Sequence, residues 1–263
     1  MEIIPGLPKD LAVQCLVRVP YKFNRKLMAV SKSWNALLTS AHFFKERQRR
    51  GDYEEVAVFL PQTGKTKSDF SVIIYSHLGH CLESLPQIPR EFKLEYTDYY
   101  QSMFVRSRQL LLVLGLLNTC TDMEGVLIFD FLSRKWRLGT DMTCSRCYFA
   151  CDPSSSEGLV YIAGGFHRKT FSPYLEAFVY NVEENKWDFL PPMSFDPNPC
   201  AGACLDGKFY VVPLRRYTVQ VYDPHTRQWK NIMKSDIEWA QDIWSGRPYD
   251  IVRACSQLRR LCL

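Results

Sequence analysis

The residues best suited to chemistry in this 263-residue chain are its ten cysteines, and the tightest group is Cys144-x-x-Cys147 with Cys151 close behind. A structural zinc site takes four ligands, usually as two close pairs. Cys200 and Cys204 are the candidates for a second pair, but their spacing is that of ordinary strand alternation. The better reading of these thiols is burial in a core. The five histidines, His42, His77, His80, His167 and His225, sit in no metal or nucleophile motif. Neither a Gly-x-Ser-x-Gly elbow nor a phosphate-binding loop is present. Gly164-Gly165 ends an apolar run, where a crowded backbone explains the pair better than a bound phosphate does. The expectation is a chain without catalytic residues, metal or cofactor.

The elements that hold these residues follow from one recurring line. Val126 to Trp136, Ala177 to Trp187 and Val219 to Trp229 align without gaps. Phe129, Tyr180 and Tyr222 form an aromatic column, followed by Asp130, Asn181 and Asp223, and a tryptophan comes seven residues after each aromatic. A β-branched and aromatic run reads as a strand, and Asx then starts a turn. The tryptophan opens the return strand. Upstream, Gly158 to Gly165 matches Gly207 to Leu214, and Arg108 to Gly115 matches more loosely. With a leading strand, each unit is a four-stranded antiparallel blade, and blades packed radially make a β-propeller. A weaker first copy has Tyr75 in the aromatic column and Leu82 in place of tryptophan. The sequence between Glu91 and Gln101 reads as a solvated loop between strands.

Composition sets the class. A hydrophobic content of 46% with 14% aromatic residues is globular, and a net charge of +5 is mild. The richest basic stretch, Lys45, Arg47, Arg49 and Arg50, reads as a solvated helix end, so nucleic acid is not expected as a partner. The longest apolar run, Leu110 to Leu117, is strand-sized, so no membrane span is expected. No secretory signal pattern opens the sequence, and unpaired thiols then suit the cytoplasm or nucleus.

Residues 1–50 differ from the rest. Leu7, Leu11, Ala12, Cys15, Leu16 and Val19 recur at helical spacing, with Pro8 tolerated near the first turn and Pro20 as the stop. A second helix carries Phe23, Leu27, Met28 and Val30. A third, capped by Ser31 or Ser33, carries Trp34, Leu37 and Leu38. Ala41 to Arg50 reads as a fourth. So small a helical unit with an apolar surplus suggests a face kept for a partner.

Ile4 to Pro20, with its Leu-Pro, Leu-Ala, Cys-Leu and Arg-Val-Pro pairs, together with Val30-Ser-Lys-Ser-Trp34, resembles the F-box of plant kelch-repeat F-box proteins. The repeats are similar to kelch motifs, with Gly164, Gly165, Tyr180 and Trp187 the best copy, and Trp136, Tyr222 and Trp229 in the same structural columns. The resemblance implies a small all-α F-box domain at 1–50, an all-β kelch propeller of about four recognisable blades at 51–233, and an irregular tail at 234–263. It implies the substrate-recognition adaptor of a Skp–cullin–F-box ubiquitin ligase. Leu7, Pro8, Leu11, Cys15, Leu16, Val19, Pro20, Val30 and Trp34 would dock the Skp-type subunit, with internal packing as the competing role for Leu16 and Trp34. The loops bearing His167, Arg168, Lys169 and Phe171, and Arg215, Arg216 and Tyr217, would hold a protein substrate. The alternatives are a kelch interaction scaffold, or a shortened adaptor that docks without delivering a substrate. A kelch-type enzyme is a more remote one, since no copper ligand set is reproduced.

Overall fold

The aromatic-to-tryptophan line folds as the hairpin that its spacing requires. In the computed structural model Phe129 lies directly opposite Trp136, Tyr180 opposite Trp187 and Tyr222 opposite Trp229. Tyr75 faces Leu82 in the same way. The structure describes residues 3–20, 23–50, 56–76, 81–97, 99–105, 110–131, 133–154, 158–197, 199–213 and 216–236.

Four helices come first: α1 (Lys9–Val17), α2 (Asn24–Met28), α3 (Lys32–Leu38) and α4 (Ala41–Arg50). Pro8 immediately precedes α1, and Ser31 caps α3, its Oγ accepting from the Trp34 amide at 3.1 Å. Ile3, Ala12, Val13, Leu16, Val17, Leu38 and Phe43 make their common core. Arg47 corrects the reading of a wholly solvated basic end. It is only 3% exposed, and its guanidinium donates to the carbonyls of Val17 (3.1 Å) and Val19. Those groups lie at and just past the end of α1, where helix carbonyls lack partners and a cation is favoured.

Blade 1 is a three-stranded sheet of β1 (Val56–Phe59), β2 (Ile73–Ser76) and β3 (Cys81–Ser84). Blade 2 has β4 (Leu94–Glu95) and β5 (Gln101–Val105), both against β6 (Leu110–Asn118), then β7 (Met123–Asp130) and β8 (Lys135–Leu138). A separate β9 (Arg146–Cys147) precedes blade 3, which runs β10 (Ala150–Pro153) and β11 (Leu159–Ala163). β12 (Phe166–His167) pairs back on β9, and β13 (Ala177–Asn181) and β14 (Lys186–Phe189) complete the blade. Blade 4 is β15 (Cys200–Leu205), β16 (Lys208–Pro213), β17 (Thr218–Asp223) and β18 (Gln228–Met233). One match shifts by a residue. Leu111 pairs with Phe129 where Val160 pairs with Tyr180, so Gly115 takes the place of Gly164, not Gly165. The tail from residue 237 lies outside the described residues.

Three apolar layers join the four blades. The aromatic face of blade 2 (Leu127, Phe129, Trp136) packs on Leu60, Val72 and Ile74 of blade 1. Tyr180, Ile162 and Trp187 of blade 3 pack on Leu112, Leu114 and Ile128 of blade 2. Tyr222, Phe209 and Trp229 of blade 4 pack on Tyr161, Ala163 and Ala177 of blade 3. Each tryptophan also reaches across its layer. The indole N–H donates to the Pro86 carbonyl from Trp136 (2.6 Å), to that of Thr140 from Trp187 (2.9 Å) and to that of Pro191 from Trp229 (2.7 Å). Every acceptor stands 11 residues after the aromatic of the preceding blade. The segment from Glu91 to Gln101 is not solvated throughout: Leu94 is buried, and Tyr96 and Tyr100 pack on the layer between blades 1 and 2.

Trp136→Phe keeps the ring and loses the indole bond to Pro86, for an expected cost of about 1 kcal/mol. Trp136→Ala opens the layer and costs about 3–5 kcal/mol. Urea unfolding of both variants beside the parent measures the difference.

Candidate functional site

The first candidate surface is on α1. Pro8, Leu11 and Cys15, spaced three and four apart, lie along one side of the helix and are exposed, Leu11 by 49%. Val30 is 60% exposed just after α2. Leu7, Val19 and Pro20 are half-buried. Leu16 does not belong to the outward face: it is 3% exposed in the helical core with Ala12 and Val13. Trp34 is half-buried too, and its indole donates to the Ile3 carbonyl at 2.6 Å, tying the leading segment to α3. Phe23, 38% exposed, is an apolar surface residue outside the expected set.

The second candidate is one rim of the blades, where each second strand hands over to the third. Both expected loops lie there, and the structure divides their residues. Arg168 is a correction. Its Nε and a terminal nitrogen each meet a carboxylate oxygen of Glu124 at 2.6 Å, and the same nitrogen donates to the Gly115 carbonyl at 3.1 Å. Glu124 is fully buried and also accepts from Ser145 Oγ at 3.0 Å. A charge in that position needs its partner, so Arg168 serves as a clamp between blades 2 and 3, not as a free contact. Lys169 pairs with Asp122 in solvent. His167 Nδ1 accepts from the Thr170 amide at 3.1 Å, which shapes the loop. Phe171 is 56% exposed at a φ of 54°, Tyr217 is 63% exposed, and the exposed Arg216 lies over the Phe195 ring at 5.1 Å. Arg215 lies outside the described residues.

Sequence reasoning missed the aromatic ledge on the same rim. Tyr148 is 46% exposed and held at a φ of 56°, a costly conformation for a bulky residue and a reason to look for function. Its ring meets Tyr99 at 4.6 Å and Phe166 at 6.5 Å. Nothing in a one-residue reading of the loop before β10 marks it. Between blades 1 and 2 lies a cleft whose lining balances Arg90 and Lys93 against Asp69 and Glu95. The ledge suits protein contact, where exposed tyrosines supply binding area.

The cysteines serve the blades. Arg146 is fully buried, donates to Cys144 Sγ at 2.8 and 3.3 Å and to the Gly164 carbonyl at 2.8 Å, and lies over the rings of Tyr174 and Phe178. Burial pushes the Cys147 thiol up, and pushes that of Cys200 up to about 12. At Gly165, φ is +88°, and an added Cβ would stand 2.7 Å from the Cys147 carbonyl. The glycine pair is therefore a close backbone approach. Among the described residues no group of three or more His, Cys, Asp or Glu is placed to hold a metal ion, and no helix is long and apolar enough to cross a membrane.

With this geometry described, comparison with known proteins adds relatives. The kelch motif matches residues 150–194, which span blade 3. The F-box/kelch-repeat protein At2g44130 of Arabidopsis thaliana is 29% identical over 268 residues, covering 88% of this chain and 65% of that protein. Two others of that organism, At1g80440 and At1g15670, are 30% and 31% identical, each covering 81% of this chain and 62% of the relative. The chain thus spans a little under two thirds of the length of these relatives.

Two outcomes test the site. Arg168→Ala should destabilise the protein by about 3–5 kcal/mol, because it strands the Glu124 carboxylate, while Lys169→Ala should change stability by less than about 0.5 kcal/mol; thermal or urea unfolding reads both. Iodoacetamide at pH 8 should label the exposed Cys15 and Cys120 and spare Cys147, Cys151 and Cys200 in the native protein, as peptide mass mapping will show.

Proposed function

Because the chain belongs to the plant F-box/kelch-repeat family, we propose that it is a substrate-recognition adaptor of a Skp–cullin–F-box ubiquitin ligase. In this reading residues 1–50 are the F-box and dock a Skp-type subunit, while the blades from 51 to 233 hold a protein substrate. The chain is then a non-catalytic subunit working in the cytoplasm or nucleus. Its contribution is proximity. It binds two partners at once and raises the concentration of substrate around the ubiquitin-carrying enzyme, with no bond made or broken by its own side chains.

The observation that supports docking most directly is the exposed stripe of Pro8, Leu11 and Cys15 on a helix whose other side is fully packed. Apolar side chains on so small a helical unit gain most by being covered in a complex. In this reading Leu7, Val19, Pro20 and Val30 join the stripe in docking, while Leu16 and Trp34 pack in or against the helical core. On the blades, Tyr148, Phe171 and Tyr217, with Arg216 and Lys169, are the residues we assign to substrate. The open aromatic face of blade 1, with Phe59 49% and Leu82 67% exposed, favours a second reading: a shortened adaptor that docks but delivers no substrate.

Co-purification with a plant Skp-type subunit is the test. Leu11→Asp should remain folded and lose one-to-one binding, because a charge would be buried unpaired in an apolar contact. Leu16→Asp should instead lose the helical unit itself, visible as reduced helical circular dichroism. A folded Leu11→Asp protein that still binds would exclude this docking face. Docking without ubiquitin transfer to any captured protein would support the shortened form.

A further inference from the structure

Tyr148 stands between two buried neighbours, Cys147 and Phe149, and is itself exposed. The backbone around it is pinned. Cys147 pairs with Phe166 across β9 and β12. The Gly165 position lies so close that an added Cβ would stand 2.7 Å from the Cys147 carbonyl and 2.9 Å from Phe149 Cβ. Tyr148 is thereby held in the left-handed region, where glycine would sit without strain. Strain kept at a bulky residue whose ring stands in solvent points to a use for that ring.

Its two ring neighbours define the surface. Tyr99 and Phe166 are half-buried and lie at 58° and 86° to Tyr148, so the ledge is ridged and not flat. It is fixed from behind, where the Arg168 guanidinium lies 5.6 Å from the centre of the Tyr99 ring. That cation is paired with Glu124, and the adjoining Lys169 with Asp122. The ledge therefore offers uncharged aromatic surface, which gives a strongly acidic or basic segment little to pair with. A polyproline II segment fits it better. Its backbone makes no internal hydrogen bonds and stays solvated, its apolar rings project regularly, and it is stiff before it binds, so little order is lost. Tyrosine hydroxyls can donate to its carbonyls. The chain's own residues 237–263 hold a single proline, Pro248, and do not supply such a segment.

We propose that the ledge of Tyr99, Tyr148 and Phe166 binds an uncharged, proline-rich segment of a partner protein in the polyproline II conformation, with Tyr148 as the central contact. Under the adaptor reading, on which the partner's role rests, this segment belongs to the captured substrate.

The test uses the full chain and fluorescein-labelled decaproline. Saturable anisotropy is expected, and a Gly-Ser peptide of equal length should not bind. Tyr148→Gly removes the ring and the strain together, so it should move the thermal midpoint by less than about 4 °C. The same variant should bind decaproline about tenfold more weakly or worse. No binding by the parent chain, equal binding of the Gly-Ser peptide or equal binding by the variant overturns the proposal. A much larger fall in the midpoint also overturns it, because the ring would then be a packing residue. Binding that appears only when residues 237–263 are deleted would make the chain itself the occupant and overturn it likewise. The assay contains no Skp-type subunit and no ubiquitin, so its failure leaves the adaptor reading standing, and failure of that reading leaves decaproline binding measurable.

Discussion

The cross-strand pair of an aromatic and a tryptophan is the contact on which the blades depend. Within a blade it closes the last hairpin, with Phe129 on Trp136 at 4.7 Å, Tyr180 on Trp187 at 4.6 Å and Tyr222 on Trp229 at 5.3 Å between ring centres. Between blades the same indole binds a carbonyl of the blade before. One residue type thereby sets both the hairpin register and the stacking of sheets. A twisted sheet with two apolar faces is stable only when both are covered, and the repeat covers them one after another. Blade 1 has leucine in the tryptophan place, and among the described residues no blade packs on its aromatic side, where Phe59 and Leu82 are exposed.

Polar groups buried between blades fix positions that the apolar layers leave free. The Glu124–Arg168 pair joins blades 2 and 3, and Arg146 holds β9, the Gly164 carbonyl and Cys144 together. Both need full satisfaction, because an unpaired charge inside the layers would cost several kcal/mol. Arg47 does the equivalent for the helices by closing the end of α1. Three arginines that look alike in sequence to any surface cation are thus structural. The surface left for partners is correspondingly less basic and more aromatic than the composition of the loops implies.

Two surfaces remain that packing does not use. The α1 stripe is short, apolar and convex, suited to a complementary partner groove. The rim is mixed in character, with Tyr148 and Tyr217 exposed. Under the proposed adaptor reading, both surfaces are for contact with other chains.

Much of this was determined by sequence alone. Four helices with a serine cap at Ser31 or Ser33, four repeats with the aromatic and tryptophan columns, and the structural role of the glycine pair are all set by local periodicity, turn chemistry and backbone freedom. Such features depend on neighbours within about ten residues, so they are legible in a line of text. Side-chain fate was not. That Leu16 turns inward while Leu11 stays out, that Arg168 meets Glu124 44 residues away and that Tyr148 sits strained on the rim were decided by tertiary structure. Each depends on which distant segment lies alongside, and spacing within one repeat carries no record of it.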